Sequence, residues 1–472
     1  MNNINNKKIS IMLLSFLLIA SSSIIILVKA DGPESQWIDK QVVHSGSNDR
    51  IPSVTVTPNG TILYVYEDRT GGDQSEKTID LYTSYDNGST WSHKNWFTTL
   101  PDGNISGYWF TNPFFLRDYT RERNYLFLTK NSDTNKPSYL FFKYTDDNGA
   151  TWSAWQNISN CKPQAVKDSY SRVWNAGRGT VTPNGTILVP MCGFIGTDNY
   201  PYCIRSWDGT NFYNASDLMT AGGEGLNENT YAYCSNDSIL CYSRRGSGAG
   251  GMAKFYSDDY GSTWNYCGVD FAGISGSRNT LFSYTDTTDT DKNRLLLGFT
   301  NASDRTDVTM TVSYDDGTTW TYSRQIQSGY GAYIDVERTS NYSIVCAYES
   351  ASNTDLSLAM LNLEWVTQGN DWVTENDNEI EFISIDSNLN VSTIYSPTPT
   401  INWTIVENTA QYHLEIDNNV DFSSPEVNYT NINQYNYPSN CNINATRVSF
   451  TLPSELPKYN TYYMRVRAYT KS

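Results

Sequence analysis

The residues best suited to chemistry in this sequence are arginines, carboxylates and tyrosines, because histidine is scarce. Only His44, His93 and His413 occur among the 472 residues, so a hydrolase built on a histidine triad is not expected. Arginine binds a planar carboxylate through two parallel hydrogen bonds, whereas lysine offers only a point charge. A tyrosine hydroxyl, with an ordinary pKa of about 10, needs a neighbouring base to act as a nucleophile at neutral pH. Single arginines and tyrosines are usually ion-pair or packing residues, so their role depends on the strands and turns that position them.

A repeat sets those elements. The pattern Asp-x-Gly-x-Thr-Trp occurs in SYDNGSTW at 84–91, TDDNGATW at 145–152, SDDYGSTW at 257–264 and SYDDGTTW at 313–320, and SWDGTNF at 206–212 is a degenerate copy. Successive aspartates are 51 to 61 residues apart, about one four-stranded blade. The aspartate can bind nearby backbone N–H groups, the glycine allows a positive φ, and the tryptophan begins a strand that packs between blades. We therefore predict structural turns and not catalytic acids at these positions.

Nearly every segment before residue 370 is typical of β-strand. TPNGTIL occurs at 57–63 and again at 182–188, and its Asn-Gly pair predicts a hairpin with a type I′ turn. No segment in this region has a long 3.6-residue periodicity, which argues against helical solenoids. The prediction is an all-β fold, with a six-bladed β-propeller over residues 31–366.

The sequence resembles the sialidase (neuraminidase) family of Asp-box, or BNR-repeat, propellers. The box alone indicates architecture, because unrelated propellers also contain it. Arg50-Ile51-Pro52, just before the first expected strand, resembles the Arg-Ile-Pro motif that opens bacterial and animal sialidases. The other family motifs follow in order between residues 40 and 366. They are Glu67-Asp68-Arg69 with Asp73, Asn227-Glu228-Asn229, Ser243-Arg244, Asp304-Arg305, Tyr333-Ile334-Asp335, Ala347-Tyr348-Glu349 and LNLEWV at 361–366, the last resembling the strand that closes the propeller.

The resemblance implies an exo-α-sialidase, a glycoside hydrolase that removes terminal sialic acids or related nonulosonic acids. Sialic acid carries a carboxylate on its anomeric carbon, which suits arginine and disfavours a carboxylate nucleophile. Sialidases with a tyrosine nucleophile are known exceptions to the two-carboxylate rule of glycosidases. The roles carried over are a carboxylate clamp of Arg50, Arg244 and Arg305, a nucleophile Tyr333 with base Glu228, an acid/base Asp73, Arg69 near the sugar's 4-position or N-acyl group, and Glu349 steadying Arg50.

Several of these assignments have rivals in the sequence. Arg244 is adjacent to Arg245, Glu228 competes with Glu224, and Asp73 competes with Asp68 and Asp80. The chain also departs from the family pattern before Arg50, where Asp49 stands in place of an aromatic residue. A noncatalytic glycan-binding propeller is the alternative function. A transglycosylase would share the same residues, whereas an unrelated endoglucanase with paired carboxylates would not need three arginines.

Composition and the N-terminal segment indicate an exported glycan-handling protein. A net charge of −17 argues against nucleic acid as a partner, and 14% aromatic residues suit short strands and sugar stacking. Lys7 and Lys8 precede an apolar run from Ile9 to Val28, so we predict a signal peptide or signal anchor over residues 1–30 and a secreted or extracellular protein. Thirteen Asn-x-Ser/Thr sequons agree with that location. The eight cysteines lack metal-ligand spacing, so they predict disulfides or buried thiols; no metal or cofactor is predicted.

The texture of the sequence changes after residue 366. A polar, acidic stretch over 367–395 is interpreted as a linker. Residues 396–472 resemble a fibronectin type III or immunoglobulin-like β-sandwich, either atypical or incomplete, with Trp403 and the tyrosine-rich last strand as core markers.

Overall fold

Each box forms the turn between the third and fourth strands of a sheet. In the first box, Oδ1 of Asp86 accepts the Thr90 amide at 2.8 Å and Oδ2 accepts the Thr90 hydroxyl at 2.7 Å. Gly88 has a φ of +84°, a conformation that favours glycine. The same two contacts recur at Asp147, Asp259 and Asp315, and Asp208 accepts the amides of Thr210 and Asn211. The box aspartates are turn residues, as predicted.

In the computed structural model the chain forms two compact units; the described residues from 34 to 374 belong to the first, and those from 400 to 470 belong to the second. The residues it describes are 34–73, 75, 77–97, 109–132, 137–169, 172–223, 225–246, 250–274, 277–287, 290–352, 354–374, 400–404, 409–417, 425, 427–433, 440–443, 447–452 and 463–470. The predicted signal segment, residues 1–30, lies outside them, as do residues 375–395 of the predicted linker. Within the described ranges, no helix is long and apolar enough to cross a membrane.

Antiparallel strands rich in β-branched and aromatic residues make up the first unit. It begins with β1 (Ile38–Ser45). The first sheet contains β2 (Arg50–Val56), β3 (Ile62–Arg69), β4 (Lys77–Ser84) and β5 (Ser92–Phe97). The second contains β6 (Trp109–Asp118), β7 (Arg123–Asn131), β8 (Tyr139–Thr145) and β9 (Gln156–Asn157). The third contains β10 (Val173–Asn175), β11 (Thr180–Val181), β12 (Ile187–Ile195), β13 (Asp198–Ser206) and β14 (Tyr213–Asn214).

Two further sheets complete this unit. The fourth sheet contains β15 (Leu226–Tyr233), β16 (Ile239–Arg245), β17 (Met252–Ser257) and β18 (Asn265–Asp270). The seven-stranded sheet contains β19 (Thr280–Thr285), β20 (Arg294–Thr300), β21 (Thr306–Ser313), β22 (Tyr322–Arg338), β23 (Ile344–Ser350) and β24 (Asp355–Leu361), with β1 at its edge. The first half of β22 pairs with β21 and its second half with β23, so one long strand joins two four-stranded meanders. The all-β class is confirmed, and the number of blades stays a prediction.

The strand at the edge of the last meander comes from the beginning of the chain. β1 pairs with β24 over Ile38–Ser45. A short helix, α1 (Gln164–Asp168), occurs earlier in this unit. The prediction of a closing strand at 361–366 is wrong, because β24 ends at Leu361 and a second short helix, α2 (Leu363–Val366), comes after it. The Asn362 side chain accepts the Trp365 amide and caps α2, which favours the helical turn over a continued strand. Arg50 likewise begins the second strand and does not precede the first.

The two TPNGTIL segments form hairpins, but the turn type differs from the prediction. The Gly60 amide donates to the Thr57 carbonyl, and Gly60 has a φ of +86°. Asn59 and Asn184 are absent from the residues with positive φ, whereas a type I′ turn needs two such residues in succession. Proline at the preceding position fixes φ near −65° and so selects a turn with a single left-handed glycine.

The hydrophobic core lies between neighbouring sheets. One cluster combines Leu63 of β3 with Leu126 of β7, and Trp152 of the second box packs against it. Another combines Leu240 of β16 with Leu295 of β20, next to Trp320 of the fourth box. Fully burying one such leucine stabilises the fold by about 1.5–3 kcal/mol. These box tryptophans thus pack against clusters that span two sheets, which joins each turn to the core.

Residues 367–374, predicted as the start of the linker, pack on the first unit. Asp371 accepts Arg294 Nε at 2.7 Å and Lys292 Nζ at 2.8 Å, and Arg294 is completely buried. This part of the predicted linker therefore belongs with the propeller.

In the described part of the second unit, six strands form two three-stranded antiparallel sheets. One sheet contains β25 (Thr400–Thr404), β28 (Cys441–Ile443) and β29 (Arg447–Thr451), and the other contains β26 (Thr409–Asp417), β27 (Val427–Ile432) and β30 (Tyr463–Thr470). Trp403 is buried in their shared core with Tyr412 and Phe450, as expected of a core marker. The fibronectin type III assignment itself stays a prediction.

All eight cysteines are free thiols, and all but Cys267 are buried. Of the two alternatives left by the sequence, the structure therefore has thiols and no disulfides.

Candidate active site

Irregular strand pairing occurs near predicted site residues in three sheets of the first unit. The β2–β3 register shifts between Arg50 and Ser53, the β15–β16 register shifts between Leu226 and Asn229, and the β22–β23 register shifts between Ala332 and Asp335. Bulges of this kind are common next to active sites because they redirect side chains. The shifts place three predicted site residues, Arg50, Glu228 and Tyr333, at irregular positions.

Arg50 is fixed by a carboxylate far away in the sequence. Its Nε and Nη2 atoms donate to Oε1 and Oε2 of Glu349 at 3.1 and 3.2 Å. Glu349 is fully buried and also accepts the Ile51 amide at 2.9 Å. A bidentate pair of this kind fixes the plane of the guanidinium, so Arg50 can present its remaining Nη1 edge to an anionic ligand.

Tyr333 lies among arginines. The Cζ atoms of Arg50 and Arg305 are 4.6 and 5.2 Å from the centre of its ring, within the range of cation–π contact. Tyr333 is only 7% exposed and has a φ of +49°, an unusual backbone conformation for a bulky residue. Strained residues of this kind persist only where their surroundings hold them.

Glu228 and Arg244 complete this cluster from the fourth sheet. Arg244 Nη1 donates to Glu228 Oε2 at 2.8 Å, and the Glu228 side chain is 5% exposed. The Glu228 carboxylate raises the pKa of Arg244, and a hydrogen bond to Tyr333 acts in the same direction against the opposing effect of burial. The structure thus brings Arg50, Arg244, Arg305, Glu228 and Tyr333 together.

The pKa of Tyr333 is raised above its ordinary value. Burial is the largest cause and the negative charge of Glu228 the next, while the nearby cations Arg50, Arg244 and Arg305 oppose them. The phenol is therefore protonated at neutral pH, with a carboxylate beside it and positive charge on its other sides. This arrangement can pass the phenolic proton to Glu228 and stabilise the phenolate that results.

Asp73 and Arg69 form a second cluster at the end of β3. Asp73 Oδ1 accepts Arg69 Nη1 at 2.6 Å and lies 3.7 Å from Arg50 Nη1. Its side chain is 76% exposed. Partial burial raises the pKa of Asp73, but the charge and hydrogen bond of Arg69, helped by Arg50 and Lys77, outweigh burial and leave the pKa below its ordinary value. Asp73 is therefore an exposed carboxylate on the rim of the arginine cluster.

Arg69 is held from behind by a buried carboxylate. Glu67 Oε2 accepts Arg69 Nε at 2.5 Å and Lys77 Nζ at 3.0 Å, and Glu67 Oε1 accepts the Thr111 hydroxyl at 2.7 Å. Burial would raise the pKa of Glu67, but Arg69, Lys77 and the Asn112 amide lower it to about 2. The Arg69 guanidinium thus donates to both Glu67 and Asp73, and it positions the Asp73 carboxylate.

Asp49, the departure from the family pattern, is a buried acceptor for two groups. Its Oδ1 accepts the Arg69 amide at 3.0 Å, and its Oδ2 lies 2.8 Å from Nε2 of His44. The His44 ring stacks on Tyr66 with centroids 4.8 Å apart. The Asp49 carboxylate therefore supports the end of β3 that carries Arg69. An aromatic residue at position 49 would not form this hydrogen bond.

Two of the rival residues, Arg245 and Asp80, have other partners. Arg245 donates to the Gly250 carbonyl at 2.6 Å, and the buried Asp80 lies 2.7 Å from Nε2 of His93. Asp68 is not paired with a site arginine in the described contacts; burial and the nearby Asp49 raise its pKa. Glu224 lies outside the described residues.

Sequence analysis missed a fourth arginine beside Tyr333. The Cζ atom of Arg278 is 5.7 Å from the centre of the Tyr333 ring, and Arg278 is 2% exposed. It lies in GSRNT, which belongs to no repeat and to none of the recognised motifs. Its only signal in the sequence is a cation just before a strand, β19. Among the described residues, no group of three or more His, Cys, Asp and Glu side chains could hold a metal.

Comparison with known proteins agrees with this geometry. Residues 21–442 match the family model described as a BNR repeat-like domain. The chain is 24% identical over 355 residues to a sialidase of Micromonospora viridifaciens, covering 68% of this chain and 52% of that protein. It is 26% identical over 249 residues to a sialidase of Paraclostridium sordellii, covering 46% and 56%. The chain thus spans little more than half the length of these curated relatives.

Solved structures share the fold. The Hadza microbial sialidase Hz136 matches with a TM-score of 0.59 and 19% identity, covering 68% of this chain and 67% of that one. The intramolecular trans-sialidase from Ruminococcus gnavus matches with a TM-score of 0.55 and 17% identity, covering 69% and 96%. Likeness at these identities concerns architecture, so the sialidase propellers support the fold and leave the chemistry to the residues of the site.

Proposed function

The chain belongs to the family of BNR repeat-like domains, and from this premise we propose that it is an exo-α-sialidase that hydrolyses terminal sialic acids or related nonulosonic acids with retention of configuration. Its curated relatives are sialidases. The observation that carries the proposal is the buried Tyr333 with Arg50 and Arg305 against its ring and the Arg244–Glu228 pair beside it.

The arginines explain why the substrate would be an anionic sugar. Arg50, Arg244 and Arg305 concentrate positive charge in one place on a chain whose net charge is −17. Such a local field attracts anions even when the whole molecule is acidic. Guanidinium groups suit the planar carboxylate of a sialic acid, so the same three residues would hold the substrate by its anomeric carboxylate.

A tyrosine nucleophile follows from that binding mode. A carboxylate nucleophile would approach the substrate carboxylate at a few ångströms, whereas a neutral phenol avoids the repulsion. Tyr333 attacks the anomeric carbon while Glu228 accepts the phenolic proton, and the bond to the leaving oxygen breaks as Asp73 protonates that oxygen. Asp73 then takes a proton from a water molecule that attacks the anomeric carbon, the bond from this carbon to Tyr333 Oη breaks, and Glu228 returns its proton to the phenolate. Two displacements at one carbon retain its configuration.

Asp73 has to be protonated to act as the acid, yet Arg69 and Arg50 lower its pKa. A substrate carboxylate bound at Arg50 neutralises part of that positive charge, which raises the pKa of Asp73 in the complex. The exposed position of Asp73 lets it exchange protons with solvent. The proposal therefore couples carboxylate binding to readiness of the acid.

We also propose that the protein acts outside the cytoplasm on sialylated glycans or glycoproteins, supported by the export-type N-terminal segment and the thirteen sequons. Transglycosylation would use the same residues with a sugar hydroxyl in place of water. A propeller that only binds glycans is the competing outcome of the experiment below.

The test is hydrolysis of a fluorogenic α-ketoside of N-acetylneuraminic acid by the parent chain and by Tyr333→Phe. The proposal expects turnover by the parent and a loss of more than about a thousandfold in kcat for the variant. The matched control is Tyr242→Phe, another buried tyrosine, whose hydroxyl donates to Asp270 at 2.6 Å away from the cluster; it should keep its activity. A folded parent without turnover on this or other nonulosonic ketosides would refute the enzyme and favour a glycan-binding propeller.

A further inference from the structure

The backbone around Tyr333 is held by a segment just before β19. The Tyr333 amide donates to the Ser277 hydroxyl at 3.0 Å, and the Ile334 amide donates to the Arg278 carbonyl at 3.3 Å. On the next peptide group, the Thr280 hydroxyl donates to the Ile334 carbonyl at 2.5 Å. These contacts replace regular strand pairing where Tyr333 takes its φ of +49°, and they hold a conformation that the chain would otherwise leave.

The Arg278 side chain continues this support to the ring itself. Its Nη2 atom donates to the Pro52 carbonyl at 2.6 Å, next to Arg50 and Ile51, while its Cζ atom lies 5.7 Å from the centre of the Tyr333 ring. The Arg278 side chain therefore connects the segment that carries Arg50 of the carboxylate clamp to the ring of Tyr333. It reaches both from inside the protein, because Arg278 is 2% exposed.

Arg278 is also an incompletely satisfied cation. Its Nη1 atom is buried and has no hydrogen-bond partner among the described residues. Buried polar atoms without partners are uncommon, and each calls for an explanation such as strain or a role in the reaction. In contrast to Arg50 and Arg244, Arg278 has no ion-pair contact with a carboxylate in the described part of the chain, so its charge remains available to the neighbouring phenol.

We propose that Ser277 and Arg278 are positioning residues that fix the strained Tyr333 and stabilise its charge as it attacks. This inference rests on the proposed role of Tyr333 as nucleophile. When the phenolic O–H bond breaks, the proton passes to Glu228 and negative charge develops on Tyr333 Oη. The new bond from Oη to the anomeric carbon then forms as the leaving oxygen departs with the proton of Asp73. Arg278 acts on Tyr333 throughout and does not contact the sugar.

The experiment separates attack from sugar binding. A 2,3-difluorosialic acid, the reagent seen as a covalent intermediate in Trypanosoma rangeli sialidase, is mixed with the full chain, and the rate of covalent adduct formation is measured by intact mass. Binding of the inhibitor DANA, known from a complex of the same enzyme, is measured in parallel. The variants are Arg278→Met, Arg278→Lys and Ser277→Ala.

Arg278→Met is expected to slow adduct formation by about tenfold to a hundredfold, because small displacements of a reacting group have effects of that size. Affinity for DANA should change little, since Arg278 does not contact the sugar. Arg278→Lys keeps the charge without the planar fork and should fall between the parent and Arg278→Met. The matched control is Arg338→Met, because Arg338 is the last residue of β22 and its Cζ atom lies 4.5 Å from the centre of the Tyr342 ring; it should form the adduct at the parent rate.

An unchanged adduct rate in Arg278→Met and Ser277→Ala would overturn the inference. Parallel losses of adduct formation, DANA binding and thermal stability would also overturn it, because they indicate a merely structural role. If Arg278→Met does not fold, Arg278→Lys and Ser277→Ala decide by the same comparison. A parent chain that binds DANA but forms no adduct would instead refute the proposed nucleophile, which distinguishes the two failures.

Discussion

The molecule uses aspartate and glutamate in two regions and in two ways. In the box turns, Asp86 and its equivalents accept hydrogen bonds from an amide and a hydroxyl four residues further along the chain. In the arginine cluster, Glu349 accepts from Arg50 across 299 residues of sequence. A box carboxylate completes its own turn, whereas a site carboxylate such as Glu349 fixes a cation contributed by another strand.

This difference shows why repetition and chemistry are separate signals in a propeller. The boxes recur because every sheet needs the same turn, so their aspartates carry information about architecture. Glu67, Glu228 and Glu349 belong to no repeat, and each accepts a hydrogen bond that fixes the direction of an arginine side chain. Replacing a unique carboxylate should therefore alter the reaction or the site, and replacing a repeated one should alter only a local turn.

The largest expected effect is on catalysis, in a comparison made within one sheet. Glu228→Gln removes the base that accepts the Tyr333 proton and should lower kcat by about 10²–10⁴-fold. Asp259→Asn changes the box carboxylate of the same sheet and should leave kcat unchanged. Steady-state kinetics on the fluorogenic ketoside check both, and similar losses in the two variants would remove the distinction between the regions.

The next effect is on stability and depends on pH. Glu67 has a pKa lowered from 4.5 to about 2, so its ionised form stabilises the folded state by about 3 kcal/mol. For a lowered pKa, this contribution is complete above the unfolded-state value and is lost as the pH falls through about 2. Glu67→Gln should therefore unfold at a lower urea concentration than the parent at pH 7. The difference between the two proteins in the free energy of unfolding should narrow between pH 4.5 and 2. A constant difference across that range would contradict the assignment.

A third effect distinguishes Asp73, at the rim of the arginine cluster, from Glu349, which holds Arg50. Asp73→Asn should slow hydrolysis of a natural sialyl-oligosaccharide by about 10²-fold, because a sugar oxygen needs a proton to leave. An aryl ketoside with an acidic leaving group needs little such help and should be hydrolysed at nearly the parent rate. Glu349→Gln, which loosens Arg50, should impair both substrates alike through KM. Equal losses for both substrates in Asp73→Asn would deny Asp73 the role of acid.

The smallest effect is expected from a box turn. In Asp147→Asn the side-chain oxygen can still accept the Thr151 amide, but the new amide group cannot accept the Thr151 hydroxyl that Oδ2 accepts at 2.5 Å. Tm should fall slightly, by less than in Glu67→Gln, with kcat and KM unchanged. A large loss of activity would show that this turn acts on the site.

Much of the fold was predictable because its signals are local. The box turns and the hairpins at Thr57 and Thr182 follow from residues within eight positions of one another. The turn type was predicted wrongly because Pro58 overrides the Asn-Gly signal. The strand expected at 361–366 was also wrong, because capping by Asn362 decides that segment and apolar character does not distinguish a short helix from a strand.

The site was predictable only in part, because its contacts are not local. Motif order drew attention to Arg50, Glu228, Arg244, Arg305, Tyr333 and Glu349, and the structure places them together. Arg278 was not identified, and Asp49 was noted only as a departure from the family pattern, because their importance lies in what they touch: the ring of Tyr333 and the amide of Arg69. Neither the bulges that redirect the side chains nor the positive φ of Tyr333 leaves a mark in residue types.

If Tyr333 attacks the anomeric carbon, the configuration of the first product is retained. Proton NMR of a sialoside during the first minutes of hydrolysis distinguishes the α anomer from the β anomer before they equilibrate. Attack by Tyr333 gives α-sialic acid, the retained product, first. If the β anomer appears first, water attacks the substrate directly, and Tyr333 is not the nucleophile.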